Sequence, residues 1–475
     1  MLDHMGYERV IRGGRVVTDG AVIEADIAIS EGRIAALGQG LRGAEEIAAG
    51  GLIVTPGGVD PHCHIEQMSG MGLMNADSFE TATRSAAMGG TTSVISFAAQ
   101  ARGQRLAEAL ADYAARARRG AAVDHAFHIL LSDPGVPDFE ADLRALIAAG
   151  HRSVKIFTTY AIKLEDAAIL EILRITAAAG AIACVHAEND AIIAAARARL
   201  LAEGRDRPRD HAASRPPEAE IEAVARICRL AENARAPVMI FHVSTAGALA
   251  EIAAARRRGA PVWAETCPHY LFQTAEVLDR PGMEGAKWMC SPPQRGLDDQ
   301  RALWAGLAAG DLQIVSSDHA PYRADETGKF VHGPRPPFPA IANGMPGLEV
   351  RLPLMFEAMA AGGRLGLAAF ARIVSAAPAE IFGLPRKGRI LPGHDADLVL
   401  WDPARVHVYG ADDLHDNVGY NPWEGHRVRG WPVMVLLRGA PVMREGSYLG
   451  TPGAGRWLHR AALGADPADL TGAAR

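Results

Sequence analysis

The sequence predicts an α/β fold in which a (β/α)8 TIM barrel is accompanied by a small β-sandwich domain built from both chain ends. Between residues 58 and 385, short apolar runs alternate eight times with alanine-rich amphipathic stretches, which is typical of parallel strands joined by helices. The flanking segments 1–57 and 386–447 have the pattern of strands and turns instead. Each is too short to fold alone, so we expect them to share one sheet domain beside the barrel.

The two flanking segments are interpreted from their turns and apolar runs. An Asp-Gly pair at 19–20 and a Glu-Gly pair at 31–32 predict tight turns of an antiparallel sheet. Strand-like runs return at 391–401 and 433–439. The tail 448–475 is rich in Gly, Pro and Ala, and its sequence is compatible with a frayed end or with a segment laid across a neighbouring subunit.

Eight strands and eight helices are predicted for the barrel. The strands are residues 58–64, 91–98, 125–131, 153–158, 181–187, 238–244, 261–267 and 312–318. The helices are residues 77–89, 104–119, 139–149, 164–179, 217–234, 246–259, 297–309 and 347–362. Asp77 and the pair Ser244-Thr245 are predicted helix caps.

Composition argues against several classes of protein. The 475-residue chain has a net charge of −6, so nothing favours a nucleic-acid or anionic-membrane partner. Its five scattered cysteines predict no disulfide framework and favour a reducing cytoplasm. We find neither a signal-peptide pattern at the N-terminus nor an apolar run of about 18 residues, so we expect no export and no membrane span.

The first predicted strand ends in a His-x-His pair. His62 and His64 share one face of this strand because side chains at i and i+2 point the same way. Two imidazoles on one face can hold a divalent cation, although two unrelated loop histidines would give the same pattern. Active sites of such barrels lie at the carboxyl ends of the strands. Other predicted strands also carry potential ligands, namely Lys155 on the fourth, His186 on the fifth, His242 on the sixth and Asp318 on the eighth.

Lys155 is unusual because it lies within an apolar strand of a chain that has only five lysines. A buried ammonium is costly unless it is paired or discharged. It could extend to the rim or pair with an acid. Alternatively, its amine has reacted with CO₂ to form a carbamate, whose two oxygens could bridge two metals.

Several motifs in order along the chain resemble the hydantoinase/dihydropyrimidinase group of cyclic amidases, in the amidohydrolase superfamily. The resemblance runs from about residue 8 to about residue 440. The matching segments are residues 57–64, 77–92, 154–157, 186–189, 215–220, 265–270, 290–293 and 343–344.

The resemblance implies a zinc-dependent enzyme that opens a 5-substituted hydantoin or a dihydropyrimidine to the N-carbamoyl amino acid. Mn²⁺ or another divalent ion is also compatible. By that resemblance a hydroxide and carboxylated Lys155 bridge two metals, and Asp318 acts as general base and then acid. The remaining implied ligands are His62 and His64, which share the more buried metal with Asp318, and His186 and His242, which hold the more exposed one.

The resemblance also assigns substrate-binding residues. Tyr160 matches a position that donates to the oxyanion, and Ser291 and Asn343 match positions whose backbone holds the ring amide. We expect His319 to point away from the site. His211 and His269 are plausible supporting groups.

The loop after the first strand and two departures from the family bear on specificity. Four apolar side chains, Met68, Met71, Leu73 and Met74, could form a wall for an apolar 5-substituent, or they could merely pack their loop. Residues 65–67 lack the arginine that dihydroorotases usually place there, which argues against an acidic ring. The loop 323–342 diverges from the hydantoinase pattern and leaves allantoin open as a substrate.

Two other functions were weighed. A cysteine nucleophile would have to be Cys184, but no activating base accompanies it in the sequence. A non-catalytic scaffold relative would have lost metal ligands, whereas all six are present here. We expect a small cyclic amide as the partner, no nucleic acid or membrane, and a homotetramer or homodimer.

Overall fold

The structure is a computed structural model that describes residues 6–463, and its first five strands belong to a sheet formed with the C-terminal part of the chain. They are β1 (Tyr7–Val17), β2 (Val22–Ser30), β3 (Arg33–Gly38), β4 (Gly43–Ala48) and β5 (Ile53–Pro56). β1 pairs antiparallel with β2 but parallel with β4 and β5. The predicted turns at 19–20 and 31–32 do join antiparallel strands, whereas the turn pattern gave no indication of the parallel pairs made by β4 and β5. The chain crosses over after β3 and returns beside β1 in the same direction.

Eight parallel strands form the barrel, as predicted, and they are hydrogen-bonded in chain order. They are β6 (Gly58–Cys63), β7 (Thr91–Ala99), β8 (Asp124–Leu130), β9 (Ser153–Phe157), β10 (Ile182–His186), β11 (Val238–Ile240), β12 (Val262–Thr266) and β13 (Ile314–Val315). The first and last strands meet where the His64 N–H donates to the His319 carbonyl at 2.7 Å. The buried Arg351 guanidinium joins the same seam by donating to the carbonyls of Val59 and Val315.

Helices follow most barrel strands, as predicted. The α-helices are α1 (Phe79–Met88), α2 (Leu106–Gly120), α3 (Phe139–Ala148), α4 (Asp166–Ala178), α5 (Asp190–Ala202), α6 (Asp210–Ser214), α7 (Pro217–Ala234), α8 (Ala246–Arg257), α9 (Pro268–Phe272), α10 (Leu297–Ala309), α11 (Arg351–Phe356), α12 (Gly366–Ala371) and α13 (Ala377–Ile381). Short 3-10 helices span Ala275–Leu278, Glu284–Trp288 and Phe338–Ala340, and π-helical turns span Glu357–Ala361 and Arg372–Ala376.

Three details differ from the sequence prediction. The cap of α1 is Ser78, which accepts from the Thr81 N–H, and not Asp77, whose carboxylate is engaged by other partners. The predicted strands 238–244 and 312–318 are shorter because the backbone turns out of the ladder just before His242 and Asp318. Helix α5 was missed because it buries only Ile193 and Leu200 and so lacks an apolar stripe.

The C-terminal strands complete the first sheet. They are β14 (Leu398–Val408), β15 (Arg427–Leu437), β16 (Ala440–Arg444) and β17 (Ser447–Tyr448). β14 pairs antiparallel with β5, which joins the two chain ends in one nine-stranded sheet and confirms the predicted association. The domain boundaries proposed at 57/58, 385/386 and 447/448 stay predictions.

The described part of the tail lies on the floor of the barrel, the side where the strands begin. Arg456 and Leu458 exchange backbone hydrogen bonds with His125 at 2.9 and 2.8 Å. Arg460 is fully buried and donates to the Ser153 hydroxyl at 2.6 Å. Residues 455–463 are therefore not frayed, because they pack on their own barrel. Contact of the tail with a neighbouring subunit stays a prediction. Residues 464–475 lie outside the described part.

All five cysteines are free and buried. Burial raises the pKa of every one of these thiols. In the described residues, no helix is both long enough and apolar enough to cross a membrane.

Candidate active site

A cavity of about 480 Å³ opens at the carboxyl ends of the barrel strands. It contains all six side chains that the sequence singled out as metal ligands: His62, His64, Lys155, His186, His242 and Asp318. The strands bring them together because parallel strands end at the same edge of a barrel. The carboxyl-end side of the barrel is called the mouth below.

Three of these side chains form a compact cluster. The Nε2 atoms of His62 and His64 lie 3.1 and 3.4 Å from Asp318 Oδ1. The potential ligand atoms of the three residues all lie within 4.8 Å of one another. The cluster therefore has the size of a single cation site.

The other two histidines lie beside this cluster. The His186 and His242 rings are 4.5 Å apart between centroids, and the His242 ring is 5.4 Å from that of His62. Burial, together with the charge of nearby Lys155, places the pKa of His62 well below its usual value. Burial, together with His186, does the same for His242. Both imidazoles are therefore neutral at neutral pH and have a nitrogen lone pair available for a metal.

Lys155 lies between the two groups of ligands with no partner for its charge. Its Nζ accepts or donates no hydrogen bond within residues 6–463. The aromatic rings of Phe97, Phe157 and Phe241 surround it, with centroids 5.5, 5.0 and 4.0 Å from Nζ. Burial lowers the pKa of Lys155 to about 8, although Asp318 acts in the opposite direction.

Three of the candidate ligand histidines are each oriented by a hydrogen bond at one ring nitrogen. His62 Nδ1 contacts the carboxylate of Glu265, which is 203 residues away in the chain. His64 Nδ1 lies 2.7 Å from Gln67 Oε1. Such contacts fix the tautomer and direction of a metal-binding imidazole.

His186 is held by Glu188, whose Oε2 lies 2.7 Å from the ring Nε2. Burial alone would raise the pKa of Glu188, but Arg215 and His186 lower it to about 2. Sequence reasoning did not assign these supporting carboxylates. The signal was nevertheless present, because Glu188, Arg215 and Glu265 all lie within the motifs that carried the family resemblance.

The site leaves buried polar atoms that a metal centre would satisfy. His62 Nε2, Lys155 Nζ and His242 Nδ1 are buried and have no hydrogen-bond partner in the described chain. Buried polar groups without partners are rare and costly. Neutral imidazoles, a carboxylate and a carbamate-forming amine are donors that suit zinc and similar divalent ions. The residues present therefore fit such a centre.

The same cavity also contains the predicted substrate-binding residues. Tyr160, Ser291 and Asn343 all line it. Burial raises the pKa of Tyr160 despite nearby Arg215, so its hydroxyl stays protonated and can donate. Among residues 6–463, the backbone N–H and C=O groups of Ser291 and Asn343 have no protein partner.

Three site residues have a left-handed backbone, which is uncommon for residues other than glycine. The φ angles are 68° at Tyr160, 43° at His242 and 47° at Asp318. Such conformations typically cost about 1–3 kcal/mol and concentrate at functional sites. Here they allow the chain to leave the strand while its side chain still faces the mouth.

The remaining predicted residues divide between the cavity and the protein interior. Met68 and Met71 line the cavity, whereas Leu73 and Met74 do not, because a bridge between Met68 and Met74 folds the loop into a small hairpin. His319 points away and its Nε2 lies 2.9 Å from Asp77.

Three further residues do not line the cavity, namely His211, His269 and Cys184. His211 contacts the Cys290 carbonyl rather than a ligand histidine. Burial raises the pKa of the Cys184 thiol, so no thiolate nucleophile is available there.

Known proteins resemble this chain over nearly its whole length. The sequence profile of the Amidohydrolase family matches residues 53–442. A D-hydantoinase from Ralstonia pickettii is 41% identical over 455 residues, covering 95% of this chain and 98% of that protein. A D-hydantoinase from Streptomyces coelicolor is 41% identical over 467 residues, covering 96% and 99%. The solved structure of a dihydropyrimidinase from Brevibacillus agri has a TM-score of 0.93 at 38% identity, covering 96% of this chain and 100% of that one.

Proposed function

Because this chain belongs to the amidohydrolase family, we propose that it is a cyclic amidase that opens 5-substituted hydantoins or dihydropyrimidines to N-carbamoyl amino acids. One observation carries the proposal. Six side chains of the right types converge on one cavity, and three of their buried polar atoms make no hydrogen bond within the described residues. The names of the relatives support the same reaction class.

Two divalent ions, which we propose to be zinc, would be held at the mouth. His62, His64 and Asp318 would hold one and His186 and His242 the other. When bound, such ions supply Lewis acidity and make hydroxide available at neutral pH. The Lys155 amine would form an N–C bond to CO₂ and release one proton, and the resulting carbamate would reach both ions. Burial of Nζ lowers the pKa of Lys155 and so favours the neutral amine that this reaction needs.

Groups of the protein would transfer the proton and stabilise the negative charge that develops on the carbonyl oxygen. The Asp318 carboxylate faces the cavity from the histidine cluster, where it can take a proton from the attacking water and return it to the leaving ring nitrogen. The Tyr160 hydroxyl would donate to the carbonyl oxygen as it becomes an oxyanion. The free backbone groups of Ser291 and Asn343 would hold the ring amide.

The substituent side of the cavity favours apolar groups. Met68 and Met71 are flexible apolar side chains on the rim, which can adapt to an aromatic or aliphatic 5-substituent. Two relatives at 41% identity are named D-hydantoinases, which supports a preference for the D-enantiomer.

A substrate panel tests the function. Zinc-loaded protein is given hydantoin, D- and L-5-phenylhydantoin, dihydrouracil and allantoin, with Asp318→Asn prepared in parallel as the inactive control. We expect fastest opening of D-5-phenylhydantoin and no turnover by the control. Turnover of allantoin alone, or preference for small polar 5-substituents, would contradict the substrate assignment. No turnover of any ring would contradict the reaction class.

We further propose a cytoplasmic homotetramer or homodimer, in keeping with the free cysteines. Light scattering of the purified protein tests the assembly, and a monomer would overturn it.

A further inference from the structure

Four buried hydrogen bonds surround the two peptides that face the substrate side of the cavity. His211 Nε2 lies 2.8 Å from the carbonyl oxygen of Cys290, which precedes Ser291. The Tyr270 hydroxyl donates at 2.7 Å to the carbonyl of Pro292, which follows Ser291. The segment around Ser291 is therefore held on both sides by side chains outside the cavity.

The segment around Asn343 is held in the same way by one residue. Lys329 Nζ donates at 2.8 Å to the carbonyls of both Ala342 and Gly344. Lys329 is fully buried and makes no ion pair in the described chain. A third contact joins the two segments, because the Gly344 N–H donates to the Met289 carbonyl at 2.8 Å.

The planar trans peptide turns these contacts into a constraint on the cavity. In such a peptide the C=O and the following N–H point in opposite directions and rotate together. Holding the Cys290 carbonyl therefore directs the N–H of Ser291 away from His211. Holding the Ala342 carbonyl directs the N–H of Asn343 away from Lys329 in the same manner.

Both N–H groups so directed, those of Ser291 and Asn343, have no protein partner among residues 6–463. The Asn343 carbonyl is directed in the same way, because it shares a peptide with the Gly344 N–H that donates to Met289. We propose that His211, Tyr270 and Lys329 are positioning residues that set the affinity for the ring amide. His211 and Lys329 hold the peptides that carry the N–H groups of Ser291 and Asn343, and Tyr270 holds the carbonyl that follows Ser291. This inference rests on the proposed function, and it deepens it by assigning a role to three residues outside the reacting groups.

The protonation states of the three donors agree with this geometry. Burial lowers the pKa of His211 to about 3, so the ring is neutral and its Nε2–H donates. Burial raises the pKa of Tyr270 well above its usual value, so the hydroxyl keeps its proton. Burial lowers the pKa of Lys329 to about 7, but an ammonium and a neutral amine both have the two N–H donors that the two carbonyls require.

The test compares substitutions that remove single donors with a matched control. Tyr270→Phe and Lys329→Met each delete the donor at nearly constant volume. His211→Leu removes a donor that His211→Gln restores. Tyr409→Phe is the control, because Tyr409 is buried in the sheet domain and its hydroxyl has no partner in the described residues.

We expect KM for D-5-phenylhydantoin to rise about 5- to 20-fold in Tyr270→Phe, Lys329→Met and His211→Leu, with kcat within about 3-fold of wild type. Zinc content should stay constant, and His211→Gln should recover most of the loss. Tyr409→Phe should match the wild type.

The outcomes distinguish a failure of the positioning role from a failure of the proposed function. If all three variants keep the kcat and the KM of wild type, the positioning role alone is overturned, even if their Tm falls. A fall in kcat or zinc content at constant KM would also overturn it. Absence of turnover by the wild type would overturn the proposed function and this inference together. If Lys329→Met does not fold, the conservative Tyr270→Phe decides the matter.

Discussion

Two buried lysines, one at the mouth of the barrel and one at its floor, have opposite surroundings. Lys155 lies among three aromatic rings without a charged partner. Lys387 is equally buried, but its Nζ lies 2.6, 2.8 and 2.9 Å from the carboxylates of Asp124, Asp397 and Asp395. Burial lowers the pKa of Lys155, whereas at Lys387 the three carboxylates outweigh burial and raise it.

The difference separates a buried lysine that has ion-pair partners from one that has none among the described residues. The cost of burying Lys387 is offset within the protein, and its carboxylates connect β8 to the strand that begins the C-terminal half of the sheet. Lys155 has no ion-pair or hydrogen-bond partner among the described residues, which is typical of residues that act on something outside the chain. Substitution of Lys155 should therefore reduce activity but not stability, and substitution of Lys387 should reduce stability but not activity.

The largest expected effect is that of Lys155→Met. We expect kcat/KM to fall by about 10³-fold or more, and zinc content to drop well below two ions per chain, because no carbamate can form. The metal-free protein should remain folded, since the change removes an unpaired charge. Kinetics, elemental analysis and circular dichroism measure these effects, with exposed Lys163→Met as the control. Retention of activity and zinc would defeat the carbamate assignment.

The matching substitution Lys387→Met should show the reverse. It leaves three buried carboxylates without their cation, so we expect the metal-free protein to lose about 3–5 kcal/mol in the free energy of unfolding. The folded fraction should keep the kcat and zinc content of wild type. Urea denaturation and kinetics at low temperature measure both quantities, and a loss of kcat without a loss of stability would remove the contrast between the lysines.

The pH dependence of the unfolding free energy tests whether the ion pairs of Lys387 stabilise the fold. Because the folded-state pKa of Lys387 is raised above its usual value of 10.5, its stabilisation is fully present below pH 10.5 and is lost as pH rises through the folded pKa. The difference in unfolding free energy between wild type and Lys387→Met should therefore shrink above about pH 10.5. A difference that grows there would contradict the ion-pair interpretation.

The substitution Tyr160→Phe tests a role in catalysis at the mouth that involves neither zinc binding nor stability. Removing the hydroxyl that would face the oxyanion should lower kcat about 10²- to 10³-fold, while zinc content and Tm stay near those of wild type. Tyr448→Phe is the control, since the Tyr448 hydroxyl has no partner in the described residues. A Tyr160→Phe enzyme with normal kcat would leave the oxyanion without an assigned side-chain donor.

The smallest effect is expected for Arg460→Met at the floor. The guanidinium donates to Ser153 and to the Phe127 carbonyl, so the change should cost about 1–3 kcal/mol of stability and leave kcat/KM within about 3-fold. Urea denaturation measures the stability, and steady-state kinetics measure kcat/KM. A collapse of activity would mean that floor and mouth are coupled, through the contacts that run from Ser153 by His128 to the Pro61 carbonyl beside His62.

The sequence predicted most of the barrel and the convergence of the candidate ligands because the signals are local. Apolar runs mark the strands, and polar residues at their ends mark the mouth. Six side chains could therefore be placed on one rim: His62, His64, Lys155, His186, His242 and Asp318. The same local signal misjudged the ends of β11 and β13, because nothing in the pattern indicates a left-handed residue at the point where the strand stops.

Long-range contacts could not be predicted in this way. Nothing in the Pro-Arg-Lys-Gly stretch around Lys387 indicates burial, and Asp124 is 263 residues away. The position of Arg460 on the floor depends equally on strands more than 300 residues earlier. Such contacts arise from the fold as a whole rather than from any local pattern.

The buried cysteines have a practical consequence. Because all five native thiols are buried and hold their protons at neutral pH, maleimide reagents should react with them slowly, even at Cys290, which lines the cavity. A single cysteine introduced on an exposed helix would then be the only reactive handle on the described surface. Fluorophores or solid supports could be coupled there without first removing any native sulfur.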